Sequence, residues 1–219
     1  TTICYYEGED WYVKNGCADP QYNDVICMND DWLAVRNGRI DSSFNGIASN
    51  ASGEWYCEYG QVQFAASGLV KSENDAFDGW YYVRNGCVQK GQETVVQNSS
   101  GWWYIGTDGK VDFHKNTVAP NEYGWWAVRN GAVDFQLNGI ASNESGDWYC
   151  RGGQVDFGAA GVLESETEGF SGWYYIQNGC VQKGQETVKQ NSNGWWYIGT
   201  DGKVDFHKNT VAPNEYGWW

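Results

Sequence analysis

Twenty-six residues, GWWYIGTDGKVDFHKNTVAPNEYGWW, run from Gly101 and run again, unchanged, from Gly194. Self-similarity at a fixed step restricts the fold more than any single residue does, because each unit must solve the same packing problem against its neighbour. The leading tryptophans are Trp32, Trp55, Trp80, Trp102, Trp125, Trp148, Trp173, Trp195 and Trp218, so the series of steps 23, 25, 22, 23 occurs twice. A four-unit block of 93 residues therefore maps onto itself without a gap, Trp32 onto Trp125 and Trp80 onto Trp173. Trp11 opens a diverged first unit.

Every unit carries a turn signal after its aromatic run. Asn15-Gly16, Asn37-Gly38, Asn85-Gly86, Asn130-Gly131 and Asn178-Gly179 are joined by Asp108-Gly109 and Asp201-Gly202, with Tyr59-Gly60 and Gly152-Gly153 in the same place. Such pairs suit a two-residue type I′ turn, whose central residues both need positive φ. Gly and Asn recur inside every window long enough for a helix, which excludes helical units. After the turn, "KVDF" alternates: Val111 and Phe113 share one face of a half-buried strand, as do Val133 and Phe135, and Val155 and Phe157. Before it, "WWYI" is apolar on both faces, with Trp102 and Tyr104 on one and Trp103 and Ile105 on the other, so it needs cover on two sides. A lone hairpin is marginal in water, whereas stacked hairpins bury one another. The expected fold is all-β: a solenoid-like array of about nine stacked β-hairpin repeats of about 22–25 residues, with a four-hairpin super-repeat. A second short turn, "FNG" at 44–46 or "LNG" at 137–139, leads to the next unit. The expected division is a diverged hairpin at 1–31, blocks at 32–124 and 125–217, and the start of a further repeat at 218–219, which reads as a segment of a longer repetitive protein.

Twenty-eight acids against 14 bases give a formal charge of −14, which repels phosphate backbones and anionic membrane surfaces. No apolar run approaches the roughly 20 residues that span a bilayer, and no signal peptide is visible. Nucleic acid and membrane insertion are thus set aside.

Seven cysteines are present, and the 93-residue step carries Cys57 to Cys150 and Cys87 to Cys180. The expected bridges are Cys57–Cys87 and Cys150–Cys180, each stapling one unit to the next; Cys4 pairs with Cys27, and Cys17 is left over. An oxidising, extracellular setting accounts for them better than zinc, since no CxxC occurs and the two histidines lie far from the cysteines in sequence. Those histidines, His114 and His207, are copies of one turn-like position and offer no unique catalytic constellation. Asp112, Asp134, Asp156 and Asp205 recur after the turn and read as an exposed polar face before they read as calcium ligands. No catalytic residue, metal or cofactor is expected, and the chain is read as non-enzymatic. Asn50, Asn98 and Asn143 begin Asn-x-Ser sequons.

Phe, Trp and Tyr make up 17% of the chain, with 14 Trp, so any core is built largely from rings. Repeated rings beside Asn, Asp and Gln also make sugar platforms, because ring faces stack on pyranoses while amides bond hydroxyls. The candidates are Trp80, Tyr82, Trp102, Tyr104 and Trp125, with the copies Trp173, Tyr175, Trp195, Tyr197 and Trp218. The competing reading makes these rings the core of a structural stalk, adhesin shaft or filament subunit that associates end to end. A third makes them a surface for a host protein or glycoprotein.

Units such as "GWYYVRNGCVQ", "GWWYIGTDGKVDF" and "GWWAVRNGAVDFQLNGIASNESG" resemble the aromatic, Gly-rich cell-wall-binding repeats of Gram-positive bacterial surface proteins, a group that includes choline-binding and glucan-binding repeats. The resemblance runs from about Glu9 to Trp219. It implies a β-hairpin solenoid in a secreted or surface-attached bacterial protein that holds cell-wall polymers or glucans. Choline-binding repeats carry a Trp several residues ahead of the W-Y-Y run; here Phe77 and Phe170 stand nearest that place in two units.

Overall fold

The structure, a computed structural model, describes residues 2–219. Among them there is no helix, and the strands follow one another as antiparallel hairpins. They divide into two compact units: one runs to Ser100 and takes in Ile105–Asp112, the other comprises Gly101–Tyr104 and Phe113–Trp219.

The first unit holds the hairpins Thr2–Tyr6/Glu9–Lys14, Asp24–Met28/Asp31–Arg36, Gly46–Asn50/Gly53–Glu58 and Gly68–Ser72/Gly79–Arg84. Each is followed by a third strand of only two residues: Cys17–Ala18, Arg39–Ile40, Gln61–Val62 and Cys87–Val88. From Arg39–Ile40 onward, that short strand pairs twice. It returns along the second strand of its own hairpin and also reaches the second strand of the preceding one, through Trp11↔Arg39, Leu33↔Gln61 and Trp55↔Cys87. The second unit repeats the scheme in the hairpins Thr117–Asn121/Gly124–Arg129, Gly139–Asn143/Gly146–Arg151 and Gly161–Thr167/Phe170–Gln177, with links Trp126↔Gln154 and Trp148↔Cys180. The hairpins Thr187–Asn191/Gly194–Ile198 and Pro213–Asn214/Gly217–Trp218 follow. The all-β array of stacked hairpins is as the repeats require.

The position of the main hairpin differs from the sequence reading. The Asn-Gly pair does not join two long strands; it joins the second strand to the two-residue third. The turn chemistry itself is as expected: Asn37 and Gly38 have φ of 50° and 75°, Asn130 and Gly131 of 49° and 75°, and even Tyr59 takes 51° before Gly60 at 73°. Asp108-Gly109 and Asp201-Gly202 are exceptions. Only their glycines are left-handed, at 82° each, while Gly109 N donates to Gly106 O and Gly106 N to Lys110 O. That is a type I turn closed by a left-handed glycine, the usual three-residue loop.

The third strand stops at two residues because the next residue leaves the ladder to start a turn. Asp134 Oδ1 accepts from Gln136 N at 3.0 Å and its carbonyl accepts from Leu137 N at 3.1 Å; Asp156 does the same for Gly158 and Ala159. The expected strand partners Val and Phe therefore separate. Val111 and Val155 are buried, while Phe113 and Phe157 lie beyond the strand, 43% and 47% exposed.

The first two hairpins turn at Glu7-Gly8 and Asn29-Asp30, with positive φ at both residues, whereas later ones, among them those at Asn50 and Asn143, turn at Asn-x-x-Gly. Asn50 Oδ1 accepts from Ser52 N at 2.9 Å and Gly53 N at 3.1 Å, and Asn143 Oδ1 accepts from Ser145 N at 2.9 Å. An Asx turn of this kind reverses the chain without positive φ at its two central residues. Further asparagines brace unit to unit: Asn23, Asn45, Asn116 and Asn138 each accept, through Oδ1, the N–H of the turn residue 14 positions on, at 2.9–3.0 Å.

Both faces of the second strands are covered, as their double apolar pattern requires. In the first unit Cys57 packs with Val25, Ala34, Phe44 and Val62, while Ile47, Tyr81, Val83 and Val88 form the next cluster. In the second unit Cys150 packs with Val118, Ala127, Leu137 and Val155, followed by Ile140, Ala159, Tyr174, Ile176 and Val181. The turn glycines are fixed by space as well as by φ. A Cβ on Gly153 (φ 77°) would lie 2.4 Å from Asp134 O. Gly153→Ala is expected to cost at least about 1–3 kcal/mol for the left-handed backbone alone, read as a lower urea midpoint with an unchanged slope.

Candidate glycan-binding site

In four hairpins the Asx turn that reverses the chain also fixes a tryptophan. The residue two after the turn glycine is Trp55, Trp126, Trp148 or Trp196, and its indole Nε1 donates to Asn50, Asn121, Asn143 or Asn191 Oδ1 at 2.8–3.0 Å. That locks the ring orientation. Asn50 and Asn143 also donate from Nδ2 to Val25 O and Val118 O, at 3.0 and 2.9 Å. These two sequon asparagines thus serve the fold through both ends of the amide.

Each locked indole meets the first tryptophan of the preceding hairpin and the phenylalanine after its own third strand. Trp32 and Trp55 lie 4.9 Å apart with Phe64 edge-on at 5.5 and 5.8 Å. Trp102 and Trp126 are 5.0 Å apart with Phe135 at 5.8 and 5.6 Å, and Trp125 and Trp148 are 5.2 Å apart with Phe157 at 6.0 and 5.7 Å. Tilted and edge-on contacts at these distances are the favoured geometry for ring pairs. One such set does not close. Trp173, Trp196 and Phe206 surround a cavity of about 230 Å³, with Val162, Val204, Asn191 and Asn193 completing its wall. Trp196 and Phe206 touch at 5.3 Å, and Trp173 faces them across the opening. A pocket lined by three aromatic rings and two asparagines is suited to a ligand with an apolar face and a few polar groups.

The expected platform residues separate into two sets. Trp102, Trp125 and Trp173 take part in the ring sets, and Trp195 stacks on Trp219 at 4.8 Å and 15°. Trp80 is half-buried and Trp218 is 75% exposed. The tyrosines do not present free faces. Tyr104 is 2% exposed and belongs to the core. Arg84, Lys115, Lys189 and Lys208 lie over the rings of Tyr82, Tyr104, Tyr175 and Tyr197 at 5.0–5.8 Å, each a cation–π contact within the chain. Trp55, Trp126, Trp148 and Trp196, together with the phenylalanines, were not among the expected residues. The signal for them is the glycine two residues ahead and the asparagine three residues before that.

All seven cysteines are free thiols. The expected Cys57–Cys87 and Cys150–Cys180 bridges are absent for a reason of register. Cys87 lies opposite Trp55 and Cys180 opposite Trp148, which makes each expected partner a diagonal neighbour. Diagonal Cα atoms are about 7–8 Å apart, beyond the usual reach of a disulfide. Cys4 and Cys27 are exposed and unbridged, opposite Trp11 and Trp32 in separate hairpins. Burial pushes the Cys57 and Cys150 thiols up from 9.0 to about 12. They are expected to resist iodoacetamide at neutral pH in the native chain, while Cys4, Cys17 and Cys27 react at once, as peptide mass spectrometry would read. A raised folded pKa stabilises the fold fully below the unfolded value, so stability is expected to fall as pH rises from about 9 through about 12.

The choline-binding repeat model matches residues 1–19, 43–63, 67–89, 93–112, 115–134, 138–156 and 171–182, more than half of the chain. The segment 43–63 spans one whole hairpin with its third strand, as does 138–156. No curated protein matches the sequence. Among solved structures, alternansucrase in complex with isomaltononaose is 15% identical with a TM-score of 0.44, covering 98% of this chain and 16% of that one. Choline-binding protein F from Streptococcus pneumoniae is 17% identical with a TM-score of 0.36, over 86% of this chain and 60% of that one. The modular autolysin LytC from Streptococcus pneumoniae, with a synthetic peptidoglycan ligand, is 11% identical with a TM-score of 0.38, over 89% and 41%. The chain thus spans less than two thirds of each of these proteins, and at such identities no ligand or activity carries over. No helix of the described residues is long and apolar enough to cross a membrane. With one hairpin and its third strand as the matched unit, recurring along the sequence, the chain belongs to the choline-binding repeat family.

Proposed function

We propose that this chain is a non-enzymatic, extracellular bacterial surface module that holds cell-wall polymer or glycan multivalently through its tryptophan–phenylalanine sets. The observation that carries the reading is the open set, where Trp173, Trp196 and Phe206 line a cavity with two asparagine amides. The closed sets at Trp32/Trp55/Phe64, Trp102/Trp126/Phe135 and Trp125/Trp148/Phe157 offer ring edges at each step, and several weak contacts on one polymer add through effective concentration.

A second reading is favoured by the same cavity. Three aromatic rings around one cavity, in a chain of charge −14, also suit a quaternary ammonium group carried by a polymer. Retention on purified Gram-positive cell walls, followed by elution with isomaltotriose or with choline, tests both. Elution by the sugar supports the glycan reading, and elution by choline supports the ammonium reading. Failure of the walls to retain the chain overturns both.

A further inference from the structure

A second kind of concavity lies apart from the tryptophan sets and shares no residue with them. In the first unit a groove of about 350 Å³ runs between the end of strand Asp31–Arg36, the start of strand Gly46–Asn50 and the loop at 74–77. The loop is fixed in place: Asn74 donates from Nδ2 to Ile47 O at 2.9 Å and accepts Phe77 N through Oδ1 at 3.1 Å. Val35, Ile47 and Ala48 make an apolar floor, and Phe77 stands as a wall.

The second unit has the same groove 93 residues on, with a volume of about 450 Å³. Val128, Ile140 and Ala141 form its floor and Phe170 its wall. Thr167 takes the place of Asn74, its hydroxyl accepting Ile140 N at 3.2 Å.

Part of the polar lining is spent on the fold, through Asn23, Asp24 and Asn74 in the first groove and Asn116, Ser142 and Thr167 in the second, and part is not. Among the described residues, the side chains of Asn37, Ser49 and Asp75 make no hydrogen bond or ion pair within the chain, and the Arg36 guanidinium touches only the Phe44 ring, 4.9 Å from its centroid. In the copy, the side chains of Asn130 and Glu168 are likewise without partners, while Arg129 forms an ion pair with Asp134 at 3.4 Å. Asn23 and Asn116, which also line these grooves, spend Oδ1 on bracing the turn residue 14 positions on.

We infer that each groove is a saccharide site in its own right, taking a neutral pyranose unit with vicinal hydroxyls. The guanidinium and the amide donate to hydroxyl oxygens, and the carboxylate of Asp75 or Glu168 accepts from hydroxyl protons in charge-assisted bonds. The apolar floor and the phenylalanine receive the C–H face of the ring. Asp24 and Asp75 in the first groove and Glu168 in the second oppose an anionic unit, and the guanidinium opposes a cation, whereas a neutral polyol uses both kinds of group.

The test is an array of neutral and acidic oligosaccharides probed with the whole chain and two double variants, Arg36→Ala with Arg129→Ala, and Trp173→Ala with Trp196→Ala. The expected result is a group of neutral glycans whose signal survives the tryptophan changes and falls about tenfold or more with the arginine changes. Titration with the strongest of them is expected to give two sites per chain, one for each groove, and a single site in Arg36→Ala alone. If alanine lowers the melting temperature, Arg36→Gln and Arg129→Gln carry the same test. An array on which no neutral glycan depends on the arginines overturns the inference. Loss confined to the tryptophan variant leaves the aromatic reading standing and sinks this one.

Discussion

Trp173→Ala is expected to weaken binding of the cell-wall ligand by at least about tenfold, or more than about 1.4 kcal/mol. Trp173 is the one ring of its set that stands across an open cavity, facing Trp196 and Phe206 without closing on them. Removing it takes away a face that a ligand would cover and leaves the Asn191–Trp196 bond intact. The equivalent change in a closed set, Trp125→Ala, removes a ring already packed against Trp148 at 5.2 Å and Phe157 at 6.0 Å. Its larger effect is expected on stability. Titration calorimetry and thermal melting of the two variants separate the cases. Equal losses of affinity, or a loss only in Trp125→Ala, would remove the open set from its assigned role.

Ile140→Ala is expected to destabilise the fold by about 2–5 kcal/mol, the usual cost of a large-to-small change at a core aliphatic. Ile140 is 0% exposed and packs against Ala159, Tyr174, Ile176 and Val181. Those neighbours come from the hairpin unit that follows and from the turn leading to it, so the cavity would open at a joint between repeats. Fluorescence-detected urea unfolding measures the loss. Ile140→Val, with one methylene fewer, is expected to cost about 0.5–1.5 kcal/mol. A cost for the alanine variant below that range would mean that the hairpins do not depend on one another as the packing implies.

The architecture was legible because one kind of signal recurs. Positive φ at both Asn37 and Gly38, and at Asn130 and Gly131, follows from residue type alone. The phase of the hairpins was not legible from that signal. Asn-Gly announces itself through backbone strain, whereas Asn50-Ala51-Ser52-Gly53 reverses the chain by a side-chain hydrogen bond, and its letters read equally well as a glycosylation sequon. The misplaced phase had consequences. It put Phe113 and Phe157 on a strand that ends before them, and it paired Cys57 with Cys87 by sequence step when the register makes them diagonal neighbours. The choice of first and third aromatic positions includes Trp102, Trp125 and Trp173, which lie in the ring sets, and omits Trp126, Trp148 and Trp196, which lie in them too. Only the link of each third strand to the hairpin before it brings a second-position ring against a first-position one. The polar grooves were beyond a reading of local pattern, since Arg36 and Phe77 line one groove from 41 positions apart in sequence.

The doubly paired third strand gives the array a direction. Where the link is made, a hairpin is roofed by the third strand of the one after it, as tiles overlap along a slope. A recombination event that slips by a whole number of units brings its own overlap with it, whereas a slip by part of a unit strands a row of N–H and C=O groups without a lid. Growth by in-phase copying is then the tolerated route to a longer chain, and a step of 93 residues is the record such copying would leave.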